Sequence, residues 1–173
     1  SLVIRGGFVV DGTGVEPFEA DVGISGNRIV EVGRIARRGI EEIDARGLIV
    51  TPGFVDAHTH YDAQVMWANH ITPSSCYGVT TALIGNCGVG FAPCKPDQRA
   101  MLVELMEGVE DIPEPVLTQG LLWNWQSFPD YMDRIAERQF DMDVAAQVPH
   151  ARDEVHDRLG QPGNAPSDQH QAE

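Results

Sequence analysis

Residues 53–60 read Gly-Phe-Val-Asp-Ala-His-Thr-His, and a Gly85-Asn86-Cys87-Gly88 run follows at a distance. Neutral imidazole nitrogen and thiolate sulfur are the donors zinc prefers, so His58, His60 and Cys87 have the chemistry of a metal centre. Their spacing matters as much as their type. Side chains alternate between the faces of a strand, which sends His58 and His60 to one side where an apolar strand runs out. A His-x-His pair alone also occurs in proteins that bind no metal, so the surrounding elements must decide.

Three further polar residues lie near these. Asp62 falls two positions beyond His60 and shares its face if the strand continues, where it can orient a ligand; the other reading is a solvated loop aspartate. Asn86 either contacts a substrate or closes the turn. His150 ends a later strand, lining a pocket or serving as a structural histidine. Cys76 and Cys94 are read as packing residues, since cysteine is commonly buried. Three cysteines form an odd count that fits no zinc ribbon or redox pair. Reduced thiols in a cytoplasm are the simpler expectation.

The 173-residue chain has room for one ordinary domain or two small ones. A formal net charge of −14 argues against a nucleic-acid partner, whose phosphates demand a basic surface. No apolar stretch is long enough to cross a bilayer, so no membrane partner is expected.

The elements that must position the candidate ligands fall in two textures. Residues 1–50 hold short β-rich runs (2–5, 7–10, 20–24 and 28–32) separated by turns, with Gly26-Asn27 a hairpin candidate. They predict a small β module. From residue 51 to 150, apolar β-rich runs alternate with helical patterns, as in a parallel sheet wrapped by helices. Strands are expected over 53–57, 79–84 and 143–148, the second buried on both faces. A helix capped by Asp97 runs to about Gly108, with Met101, Leu102, Leu105, Met106 and Val109 as its apolar stripe. Residues 110–126 read as a long connection with Pro113, Pro115 and Gly120. Ser127 and Asp130 resemble a capping box, opening a helix that buries Phe128, Tyr131 or Met132, and Ile135. Trp123 and Trp125 are expected to pack in a core or at a cleft rim. Residues 151–173 lack large apolar side chains and are expected to be a disordered tail, with at most one helical turn over 153–159.

Glycines at 85 and 88 leave the backbone beside Cys87 free to approach a ligand closely. In a parallel α/β barrel the strand C-terminal ends share one face, so these three donors would meet there. The run Gly-Phe-Val-Asp-Ala-His-Thr-His-Tyr-Asp, then Gly78-Val79-Thr80-Thr81, then Gly85-Asn86-Cys87-Gly88, resembles the amidohydrolase superfamily. Within it the likeness is to the N-acyl-D-amino-acid deacylase (D-aminoacylase) family. Residues 107–113 and 147–150 also resemble that family, so the likeness runs from about residue 2 to 150.

The resemblance implies an α/β fold: part of a TIM-like metal-dependent hydrolase barrel, preceded by a small β-sandwich module. It implies a Zn2+-dependent hydrolase releasing an acyl group from small-molecule N-acyl-D-amino acids, with one or two metals in a full-length member; without the later strands, this chain is expected to hold zinc weakly or not at all. The metal ligands would be His58, His60 and Cys87, the cysteine standing where many superfamily members carry a carboxylated lysine.

The resemblance also leaves parts unmatched. A whole barrel takes about 250 residues, and three of its eight strands are expected here. The family's later metal histidines and its catalytic aspartate belong to later strands, so the chain reads as the N-terminal part of such an enzyme, or truncated. Two alternatives stand beside the deacylase: a catalytically inactive remnant, and a dihydroorotase- or hydantoinase-like cyclic amidase. An unpaired sheet edge would favour self-association.

Overall fold

Runs of β-branched residues broken by glycine turns build the first part of the chain. A computed structural model describes residues 1–149. The chain divides into two units, Ser1–Gly53 and Phe54–Glu173. His150 and the expected tail, with its helical turn, lie outside the described residues.

The first unit is one mixed five-stranded sheet of β1 (Leu2–Val9), β2 (Phe18–Ser25), β3 (Arg28–Gly33), β4 (Glu41–Asp44) and β5 (Ile49–Val50). Its order is β3-β2-β1-β4, with β5 also on β1. The two runs expected over 2–5 and 7–10 are one strand, broken by a register shift between Ile4 and Gly7. β2 and β3 form the expected hairpin, Ser25 pairing with Arg28 around Gly26-Asn27. The β-sandwich expectation is corrected. β4 and β5 both pair parallel with β1, so they widen one sheet and add no second layer. Val9, Ala20 and Val22 form its small core.

The second unit is built on three parallel strands, β6 (Phe54–Asp56), β7 (Val79–Ile84) and β8 (Asp143–Ala146), in the order β6-β7-β8. Helices α1 (Arg99–Glu110), α2 (Glu114–Gly120) and α3 (Phe128–Ala136) complete it. Ala82 and Ile84 of β7 are fully buried in a core with Phe91, Met106, Leu117 and Tyr131. β7 is not buried on both faces as expected. Thr81 and Leu83, on the opposite face, are only half-buried, because the helices cover one side of the sheet.

α1 also departs from its expected form. Asp97 does not cap it; a 3₁₀ turn over Pro96–Gln98 leads in, and Asp111 in the left-handed region closes it beyond Gly108. Leu102, Val103 and Met106 form its buried face, whereas Val109 is exposed. α2 occupies part of the expected connection. Its prolines read as helix breakers, yet Pro113 is the N-cap and Pro115 lies in the first turn, where a missing N–H costs no helical bond. Ser127 and Asp130 do form the capping box of α3, and Tyr131 and Ile135 are its buried residues. Trp125 packs in the core, its Nε1–H donating to the Phe91 carbonyl at 2.8 Å, with Trp123 stacked on it. Cys94 is fully buried, but Cys76 is exposed, turned outward on a 3₁₀ turn over Ser74–Tyr77. Among the described residues no helix is long and apolar enough to cross a membrane.

Candidate metal centre

β6 ends at Asp56, so His58 and His60 follow the strand and do not lie within it. Backbone bonds nevertheless extend the strand's geometry. Thr59, between them, gives its N–H to the Leu83 carbonyl of β7 at 3.1 Å and its hydroxyl to the same oxygen at 2.9 Å. Thr59 is buried, and the histidine rings flanking it meet edge to face with centroids 5.5 Å apart. The Asp56 carboxylate accepts from the His58 N–H at 3.2 Å and tightens the turn.

The cysteine arrives from β7. Beyond Ile84 the chain makes a tight turn in which Gly85, Cys87 and Gly88 all have positive φ. Cys87 has φ 56° and ψ 15°, a conformation that costs a side-chain-bearing residue about 1–3 kcal/mol and recurs at functional sites. Gly85 faces strand β8, with no room for a side chain: a Cβ there would sit 2.4 Å from the Gln147 carbonyl oxygen. The outcome is a contact of 3.3 Å between Cys87 Sγ and His58 Nε2. One donor atom from each of His58, His60 and Cys87 lies within 4.8 Å of the others.

Asp62 and Asn86 turn out to hold this turn in place. Asp62 is 2% exposed, which rules out the solvated loop aspartate. Its Oδ2 accepts from the Gly85 N–H at 3.2 Å, and its backbone carbonyl accepts from the Tyr131 hydroxyl at 2.7 Å. Burial raises its carboxyl to about 6, against the lowering effect of the Gly85 bond. Asn86 is buried as well. Its Nδ2 donates to the Thr59 and Leu83 carbonyls at 3.2 and 2.6 Å, and its Oδ1 accepts from Gln147 Nε2 at 3.1 Å. Those bonds use the amide to tie the ends of three strands together, so Asn86 closes the turn.

One functional candidate escaped the sequence reading. Glu110, the last residue of α1, shares with His58, His60, Tyr61 and Ser74 the wall of a cleft of about 440 Å³. Both of its carboxyl oxygens are buried with no hydrogen-bond partner among the described residues. Burial, reinforced by the neighbouring Asp62 carboxylate, pushes it up to about 8. Its spacing could have revealed it: position 110 falls four residues after Met106 and seven after Val103, on the buried stripe.

The donors fit a zinc ion. Two imidazoles and a thiol are a zinc-type set. Burial, followed by the neighbouring His58, lowers the His60 pKa and favours the neutral ring that a metal requires. His60 Nδ1 is buried without a partner among the described residues.

The amidohydrolase family pattern matches residues 41–163. The chain belongs to the amidohydrolase family. Among its relatives, a D-aminoacylase of Alcaligenes xylosoxydans xylosoxydans is 31% identical over 151 residues, covering 87% of this chain and 29% of that protein. This amidohydrolase chain therefore spans under a third of the curated relative's length. A solved D-aminoacylase, described for the functional role of its binuclear metal centre, superposes with a TM-score of 0.69 at 31% identity, over 87% of this chain and 30% of the other. N-acyl-D-glutamate deacylase from Bordetella bronchiseptica, solved with zinc and a phosphonate mimic of the tetrahedral intermediate, gives 0.62 at 30% identity, over 87% and 29%. The mixed α/β architecture is that of these amidohydrolases.

Proposed function

We propose that this chain carries part of the active site of a zinc-dependent amidohydrolase that cleaves the amide bond of N-acyl-D-amino acids. His58, His60 and Cys87 would hold the metal. The single observation that carries this reading is the meeting of two imidazoles and a strained-backbone thiol within 4.8 Å, from segments 29 residues apart. Bound zinc supplies Lewis acidity and a water acidified to near neutrality. The chain's own residues orient that chemistry: Thr59 and Asn86 fix the two ligand turns, and Asp62 braces them from behind.

The deacylase substrate class comes from the relatives. They act on N-acylated D-amino acids by name, and they share the α/β framework over 87% of this chain. We read β6, β7 and β8 as a sector of a TIM-like barrel. Val55 is exposed and Leu83 only half-buried, as an inward barrel face would be without the strands opposite it. Turnover of an amide also needs a group to move the proton from water to the leaving nitrogen. The resemblance assigns that role to an aspartate of a later strand.

The test is metal binding by the 173-residue chain. Zinc binding, expected to be weak without the ligands of later strands, should be lost on Cys87→Ala, and cobalt substitution should show a thiolate charge-transfer band that the variant lacks. Equal zinc in the two proteins would remove Cys87 from the site. The chain by itself is expected not to release a free D-amino acid from N-acetyl-D-methionine.

A further inference from the structure

Two buried polar groups in one cleft have no hydrogen-bond partner among the described residues, and they are complementary. His60 presents a ring nitrogen, Nδ1, that nothing among the described residues satisfies; Glu110 presents two carboxyl oxygens in the same condition. Both residues line the cleft beside His58. A buried polar atom without a hydrogen bond forfeits its hydration with nothing in return, so such pairs in native proteins call for an explanation.

We infer that Glu110 is a positioning residue of the metal centre, its carboxylate accepting from His60 Nδ1–H and thereby presenting Nε2 to the cation. This rests on the proposed metal site. Histidines that ligate metals generally give their other ring N–H to a carboxylate or carbonyl, which fixes the tautomer and the ring plane. The other candidates for that duty are engaged. The Asp56 carboxylate holds the His58 N–H, and Asp62 holds Gly85. Of the carboxylates that line the cleft among the described residues, Glu110 is what remains, at the end of a helix whose buried face fixes it against the core. An N–H directed at its carboxylate would also offset the burial that now opposes its charge.

The pairing is tested first on the metal-free 173-residue chain at alkaline pH, where imidazole is neutral, by ¹⁵N–¹H correlation of the His60 ring. The expected spectrum has the proton on Nδ1, retained in Glu110→Gln, whose amide oxygen still accepts, and redistributed toward Nε2 in Glu110→Ala. Zinc alone should bind Glu110→Ala about 10-fold or more weakly, and Glu110→Gln nearly as tightly as the parent. A parent ring protonated at Nε2, or an unchanged tautomer in Glu110→Ala, overturns the inference; so does an equal loss of zinc affinity in both variants. If Glu110→Ala does not fold, the parent and Glu110→Gln spectra decide the question. Failure of the parent to bind zinc at all would instead sink the proposed function, leaving the tautomer to judge the hydrogen bond.

Discussion

Asp62 and Gly85 are joined by a buried 3.2 Å hydrogen bond from the glycine N–H to the carboxylate, and this bond couples the histidine turn to the cysteine turn. It holds a charge where charge is disfavoured. The Asp62 carboxyl rises from 3.8 to about 6 on folding, so the native state keeps a proton that the unfolded chain has released. The contribution of this one group to stability is therefore fullest below about pH 4 and declines as pH climbs through about 6. The shift corresponds to on the order of 3 kcal/mol. Asp62→Asn keeps an acceptor for Gly85 and removes the charge, so it should raise the thermal midpoint at neutral pH and flatten that decline. Asp62→Ala should lower the midpoint, because the amide loses its acceptor in a dry site. Melting curves across pH for the three proteins check this.

Gly85 tolerates no side chain. Its φ of 79° and the 2.4 Å approach of a Cβ to the Gln147 carbonyl act together, and neither can relax without parting β7 from β8. Gly85→Ala should cost roughly 2 kcal/mol or more in urea unfolding. It should weaken zinc binding as well, since Cys87 stands two residues on.

Cys87 should show opposed effects on stability and ligation. Replacing it with glycine relieves the left-handed strain at φ 56°, so metal-free Cys87→Gly should be more stable than the parent by about 1 kcal/mol. The same substitution should abolish the cobalt–thiolate band. Calorimetry of the metal-free proteins and visible spectra of the cobalt forms separate the two effects.

Asn86 makes three hydrogen bonds to three segments. Asn86→Ala takes away the donor to the buried Thr59 carbonyl and the acceptor of the Gln147 amide, and should destabilise by about 2–3 kcal/mol in denaturant titration. Asn86→Asp should be worse at neutral pH, because its carboxylate would face the Thr59 and Leu83 carbonyls.

Much of this was legible along the chain. Apolar β-rich runs alternating with helical patterns marked β6, β7 and β8, the Ser127–Asp130 pair marked the start of α3, and donor types at His58, His60 and Cys87 marked the candidate site, because each depends on neighbours within a few residues. Helix α2 was hidden by Pro113 and Pro115, whose effect depends on which turn of a helix they enter. The exposure of Cys76 and of Val109 likewise followed from surfaces that no local pattern records.

Residue types and short-range spacing determined which atoms were available to bind a metal. Only the tertiary structure decided that Cys87 Sγ would reach His58 Nε2, that Asp62 and Asn86 would brace the turns, and that Glu110 would line the cleft with no hydrogen-bond partner among the described residues. The reason is physical: covalent order sets periodicity within a strand or helix, while pairing between strands and burial between layers set the distances among side chains far apart along the chain.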